Sequence, residues 1–298
     1  MNTFNDFTTK YPLTILNCDT ELNKYHDQML FFKLGDFTFN ELSYLHGPYL
    51  PLINHERISN FDVNNLYDKC VIITNDIDEF IEHHKNINKT YYLIVSFTDQ
   101  DVPHKNSKDS FIELLDNKYL IKCITVNRAI THNKLSDFPI SIWPWSKTNI
   151  SNYNVSTLPK REKLCFGGCW SEPDLPHGRE RNSVRKTLEN GKYGFIDVFE
   201  ESPASDYINL LLTYKYQISP RGCGVDCFRT WESLYLGCIP IILTDENNNL
   251  YEDLPVLIVD SYSDLTEEKL TEHYEKMNSR LFNLDMFKER YWKDFLCS

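Results

Sequence analysis

The chain has 298 residues, 41% of them hydrophobic and 25% charged, with Tyr 18, Phe 18 and Trp 5. That aromatic load excludes a disordered chain, and the length suits one or two domains, such as two Rossmann-like halves of about 140 residues each. A formal net charge of -12 excludes a surface built for duplex nucleic acid or anionic lipid, but not a small pocket lined by arginines.

Strand and helix signals alternate through the first half. Thr14–Cys18 reads as a first strand, and Lys69–Thr74 as a short, β-branched, buried one. Ile77–Lys85 reads as a helix with Asp76 or Asp78 near its start. Tyr91–Phe97 is a strand that runs into a polar loop, Thr98–His104. Ser110–Leu115 is predicted helical and Leu120–Val126 a further strand. This βαβ rhythm predicts a parallel sheet covered by helices. Ser146–Pro159 is polar, contains proline and has no period, so a domain boundary is expected at about 146–160.

The rhythm then restarts. Lys163–Gly168 reads as a strand entering a glycine turn, followed by a helix over Arg179–Glu189 and a strand over Phe195–Phe199. Next come a helix (Ala204–Thr213), a strand (Tyr214–Ser219), a helix (Cys227–Leu236) and strands at Cys238–Leu243 and Pro255–Val259. Two helices fill Leu265–Leu296. The expected fold is therefore α/β with two Rossmann-like domains whose parallel sheets face a common cleft. Residues 1–150 form one domain, 160–265 the other, and 266–298 pack back as helices.

Nine cysteines, an odd number, lie largely in apolar runs and read as reduced core residues. The pairs Cys165/Cys169 and Cys223/Cys227 lack the spacing of zinc ligands, so no metal site is expected. The N-terminal residues show no basic or apolar leader, and no apolar run reaches the length of a membrane span. The expectation is a cytoplasmic protein.

The chemistry concentrates in Tyr214–Leu243. A strand ends at Ser219–Pro220, and the turn that follows carries Gly222 and Gly224, which allow positive φ and close approach of backbone to a ligand. Asp226 is placed to cap the next helix. Ligands of open α/β sheets sit beyond the carboxyl ends of the strands, and a helix N-terminus there favours an anion such as a diphosphate. Arg229, in the first turn of that helix, suits a phosphate oxygen. Glu232, three residues on, suits the vicinal hydroxyls of a ribose. Gly237 is a natural helix stop. Arg179, Arg181 and Arg185 form a second basic group upstream.

This run resembles the signature of exostosin-like glycosyltransferases, S-P-x-G-x-G-x-D-x-x-R-x-x-E-x-x-x-x-G-x-I-P. Ser219, Pro220, Gly222, Gly224, Asp226, Arg229, Glu232, Gly237, Ile239 and Pro240 fill its fixed positions. A looser likeness extends over about 160–260, through Lys163–Gly168 and the arginine-bearing helix. The resemblance implies a GT-B fold with the donor in the C-terminal domain. It implies inverting transfer from a nucleotide sugar, usually a UDP-sugar, to a hydroxyl of a glycan or glycoprotein, with no required metal or other cofactor. Glu232 would hold the ribose, Arg229 would hold phosphate or shape the donor pocket, and Arg185, or Arg181 one turn earlier, would be the second cation at the leaving group. Family members usually carry a Golgi membrane anchor. A chain with neither anchor nor disulfide-type cysteines reads as a cytoplasmic or viral relative whose acceptors differ.

An inverting transfer also needs a base for the acceptor hydroxyl. The loop after Tyr91–Phe97 offers Asp101 and Asp99, with Asp101 favoured and His46 a further possibility. Asp76-Ile77-Asp78 matches a metal-binding DxD only superficially, and Asp76 reads as a cap. Trp143 and Trp145 could stack on a sugar or pack between domains, and His177 could close over a diphosphate. Two rivals remain. One is a fucosyltransferase-like enzyme using GDP-fucose, which would lack the Ser-Pro-x-Gly-x-Gly turn. The other is an inactive module that only binds nucleotide sugar. A NAD-type oxidoreductase would need glycines after its first strand, and Leu13–Asn17 is followed by none.

Overall fold

A computed structural model describes residues 10–12, 34–39, 59–96, 98, 100–142, 161–168, 178–189, 193–199, 204–283, 285–287 and 289–297. The chain divides into two compact units: a first, Gln28–Ile140 with Trp292–Ser298, and a second, Met1–Asp27 with Ser141–Tyr291. The predicted strand at Thr14–Cys18 lies outside the described residues, as do 143–160.

Strand β1 (Lys10–Pro12) belongs to the second unit. The first unit is built on β2 (Phe37–Thr38), β3 (Ser59–Asn60), β4 (Cys70–Thr74), β5 (Tyr91–Val95), β6 (Leu120–Thr125) and β7 (Leu135–Asp137). All pair in parallel, in the order β3-β2-β4-β5-β6-β7. Every residue of β5 is buried, as expected of a strand covered on both faces. Helix α1 (Ile77–His83) starts where Asp76 accepts the Glu79 amide at 2.9 Å, so the predicted cap is present. Helix α2 (Lys108–Asp116) buries Phe111, Leu114 and Leu115, the i, i+3, i+4 face. These side chains join Phe80, Ile72, Leu93 and Val95 in one core. Each fully buried apolar side chain of this kind contributes about 1.5–3 kcal/mol. Beside the sheet, Arg128 grips Asp137 with two prongs, Nε to Oδ1 at 2.6 Å and Nη2 to Oδ2 at 3.0 Å.

The second unit holds β8 (Lys163–Gly168), α3 (Gly178–Glu189), β9 (Ile196–Phe199), α4 (Ala204–Thr213), β10 (Tyr214–Ile218), α5 (Phe228–Tyr235), β11 (Ile239–Leu243), β12 (Leu257–Val259) and α6 (Glu267–Asn278). Its sheet is also wholly parallel, in the order β12-β11-β10-β8-β9. A separate antiparallel pair joins β1 to β13 (Leu281–Asn283). The last helix, α7 (Glu289–Cys297), sets Trp292 edge-on to Phe138 of the first unit's own segment, ring centroids 4.7 Å apart.

Both sheets are thus wound alike: the first strand is flanked by the second on one side and the third on the other. The protein is an α/β structure with two parallel sheets, as the alternating pattern predicts. Arg161, just ahead of β8, donates to the carbonyls of Leu211, Tyr214 and Leu236. It thereby joins α4, the start of β10 and the carboxyl end of α5, where a cation is favoured by the helix dipole. Cys70, Cys123, Cys165, Cys227 and Cys238 are buried free thiols, in line with the reduced-core reading.

Candidate functional site

In a doubly wound sheet the ligand crevice opens at the carboxyl ends of the strands where the winding reverses. In the second unit that point lies between β8 and β10. Strand β8 leaves the sheet through Gly167 and Gly168. A Cβ on Gly168 would stand 2.5 Å from the Phe199 carbonyl oxygen, and its φ of +149° suits glycine alone. Strand β10 leaves through Ser219, whose amide continues the ladder to the Ile241 carbonyl at 2.8 Å. The Ser219 hydroxyl meets Thr230 Oγ1 at 2.9 Å, tying the turn to α5.

Two local expectations are corrected. First, the N-cap residue of α5 is Cys227, not Asp226. The buried Asp226 carboxylate accepts the Cys227 amide at 2.8 Å, the Trp231 indole N–H at 2.9 Å and the Tyr251 hydroxyl at 2.7 Å. Trp231 is fully buried, so this carboxylate pins the turn to the core. A local cap loses to a charge-assisted network with distant donors. Second, positive φ among the described glycines occurs at Gly168 and Gly237, not at Gly222 or Gly224. Gly222 instead provides room: a Cβ there would sit 2.9 Å from Arg181 Nη2. Gly237 behaves as predicted. With φ +72° it lets the Gly237 amide reach Leu234 O and the Cys238 amide reach Ser233 O, which closes α5 as a Schellman motif.

The arginines converge on this turn. Arg181, in the first turn of α3 and buried, donates through Nε to the Arg221 carbonyl at 2.8 Å. Burial first, and then the charge of Arg229, hold its guanidinium below the usual arginine range. Arg221 Nε lies 3.7 Å from a Glu180 oxygen and 3.9 Å from an Asp245 oxygen, and its Nη2 donates to the Thr244 carbonyl at 3.2 Å. Arg185, half-buried, follows Arg181 by one helical turn. Arg229 is half-buried and Glu232 buried on α5. Both act on Tyr207 of α4: burial first, then the Glu232 carboxylate, push its phenol up, while Arg229 opposes them. The same edge therefore offers guanidinium donors against an anion and a carboxylate that can accept from hydroxyls. Ser219, Gly222, Gly224, Asp226, Arg229 and Glu232 share one strand–turn–helix, and Arg181 reaches it from α3.

The predicted bases belong to the first unit. Asp101 is half-buried in the loop after β5, and Asp99 lies outside the described residues, as do His46, Trp143, Trp145 and His177. The Asp101 loop is tied to the loop after β6: the Val102 amide donates to Asn127 O at 2.8 Å, and Asn127 Nδ2 donates to Thr98 O at 2.9 Å. Sequence reasoning missed His104, three residues beyond Asp101, whose Nδ1 stands 2.6 Å from Asp78 Oδ2. The signal was present only as a histidine in an acidic loop, because Asp78 is 26 residues away in sequence. Among the described residues no three His, Cys, Asp or Glu side chains gather as metal ligands. Nor is any described helix long and apolar enough to cross a membrane.

No protein-family model and no curated protein matches this sequence. Among solved structures, the chain is similar to a GtfA/B complex, with 11% identity and a TM-score of 0.41 over 78% of this chain and 58% of that one. It is also similar to an α,α-trehalose-phosphate synthase (UDP-forming) from Burkholderia xenovorans in complex with glucose-6-phosphate. That match has 11% identity and a TM-score of 0.34 over 78% of this chain and 71% of the other. The chain thus spans under two thirds of the length of the first of these structures.

Proposed function

We propose that the protein is a GT-B-type glycosyltransferase that binds a nucleotide-sugar donor, with UDP-sugar the preferred class, at the β8/β10 edge. One observation carries this reading: Arg181 packs against Gly222 beneath a turn whose ten signature positions match those of exostosin-like transferases. Burial and the charge of Arg229 both act against the Arg181 guanidinium, and a bound diphosphate would offset both.

In this reading Arg181, Arg185 and Arg229 take the diphosphate, and the amides at the start of α5 add their dipole. Glu232 accepts from the ribose hydroxyls. Ser219, Gly224 and Asp226 hold the turn in shape. As the sugar leaves, charge grows on the diphosphate, and fixed guanidiniums stabilise it without a metal. Asp101, or Asp99 as the sequence also allows, takes the proton of an acceptor hydroxyl that attacks with inversion. The 2.6 Å contact of His104 with Asp78 favours a second base, since it leaves Nε2 of that imidazole to accept the proton.

Thermal melting against UDP, GDP and CMP tests the donor class. UDP at a hundredfold excess over its dissociation constant should stabilise the protein by about 2.7 kcal/mol. Glu232→Ala should remove most of that gain. A larger response to GDP would favour a fucosyltransferase-like donor, and silence toward all three at millimolar concentration would overturn the proposal.

A further inference from the structure

After β12 the chain turns through a short 3₁₀ helix, Tyr262–Asp264, at the carboxyl edge of the second sheet. Tyr262 is 4% exposed, and its hydroxyl has no hydrogen-bond partner among the described residues. A hydroxyl left in that condition is costly, and native proteins rarely keep one without a use. Its surroundings are specific. Glu180, Cys227, Arg221 and Arg229 are the charged or ionisable groups whose fields reach it. These groups come from α3, from the turn after β10 and from α5, so the buried phenol of a loop two strands away lies within electrostatic reach of the arginine cluster. Burial keeps the phenol protonated, and it has a proton to give.

Of these groups Glu180 can accept but makes no hydrogen bond with Tyr262, and arginines, being donors only, offer its hydroxyl nothing to donate to. Arg221 is itself held loosely, at 3.7 and 3.9 Å from its two carboxylates. An anion seated among Arg181, Arg221 and Arg229 would give the Tyr262 proton its acceptor. It would also take up the charge of Arg221.

We propose that the Tyr262 hydroxyl is a phosphate-binding donor of this pocket, extending the site across the sheet edge to the loop after β12. The proposal rests on the nucleotide-sugar reading for the identity of the ligand, but only on a bound phosphate group for its chemistry. It was invisible in the sequence because Tyr262 stands alone in a polar stretch of a tyrosine-rich chain.

The test compares wild type with Tyr262→Phe, which keeps the ring and removes only the oxygen. Melting without ligand, and affinity for inorganic pyrophosphate and for UDP, are measured on both full-length proteins. The ligand-free variant should melt at the same temperature or higher, because an unmet hydroxyl has been removed. Its affinity for pyrophosphate should fall about tenfold to a hundredfold, the range for a hydrogen bond to a charged group. Unchanged pyrophosphate affinity, or a ligand-free variant that melts several degrees lower, would overturn the assignment, and so would a wild type that binds no pyrophosphate. A wild type that binds pyrophosphate through Tyr262 but neither UDP, GDP nor CMP would sustain this inference while removing the nucleotide-sugar reading.

Discussion

Strands β2–β7 and strands β8–β12 follow the same winding, yet the turns at their carboxyl ends carry different chemistry. On the first sheet that edge presents Asp76, Asp78, Asp101 and His104, and its buried arginine, Arg128, is locked bidentately to Asp137. On the second, Arg181 bonds a neutral carbonyl and sits in the field of a second cation, Arg229. The comparison teaches that topology fixes where a ligand can lie, whereas the partner of each charge decides what lies there. Under the proposed function, Arg128 therefore serves the fold and Arg181 the donor's diphosphate.

The largest expected effect would break the division of labour between the two edges. Asp101→Asn should lower sugar transfer by about 10²–10⁴-fold, the usual contribution of a general base, and leave UDP affinity intact. If His104→Gln does this instead, the base is the imidazole on Asp78. Loss of UDP binding in either variant would contradict the assignment of binding to the second unit.

The two arginine environments can be set against each other directly. Arg128→Ala strands a buried carboxylate, and chemical denaturation should show a loss of about 3–5 kcal/mol with UDP affinity unchanged. Arg181→Ala should weaken UDP by about tenfold to a hundredfold and change stability far less. Equal stability losses in the two variants would erase the distinction.

The smallest effect concerns the second unit's response to acid. His273, on α6, meets the Tyr216 hydroxyl through Nδ1 at 2.8 Å. Burial first, and then the charge of Lys276, hold its imidazole below the ordinary value of 6.5. As pH falls below 6.5 the unfolded chain binds a proton that the folded unit refuses. Stability therefore declines on acidification and is fully present above that pH, with a slope of at most about 1.4 kcal/mol per pH unit. Melting between pH 7.5 and pH 5.5 (about two units across this window) should show the decline, and His273→Gln should flatten it.

The sequence carried the long elements well and the short ones poorly, for a physical reason. The apolar, β-branched run of β4 and the wholly apolar β5 announce themselves because buried parallel strands need such residues. Strands β2 and β3, two residues each, and β7 and β13, three each, are too short to show a period. At the site, the turn from Ser219 to Glu232 was legible because its parts are neighbours in the chain. The role of Asp226 was not, since Tyr251 lies 25 residues on. The reason for Gly222 was misread for the same cause: the obstacle is a side chain of α3, not the turn's own dihedral angles.

Arg161 bears on how the second unit can move. Its one guanidinium fastens three backbone segments at the opposite edge of the sheet from the arginine cluster. Sliding of α4 or α5 as a rigid rod would tear several of those bonds together, so their lower ends act as a clamped hinge line. Under the proposed function, any adjustment to an incoming donor would fall to the turns at the carboxyl ends of the strands, which Arg161 does not fasten.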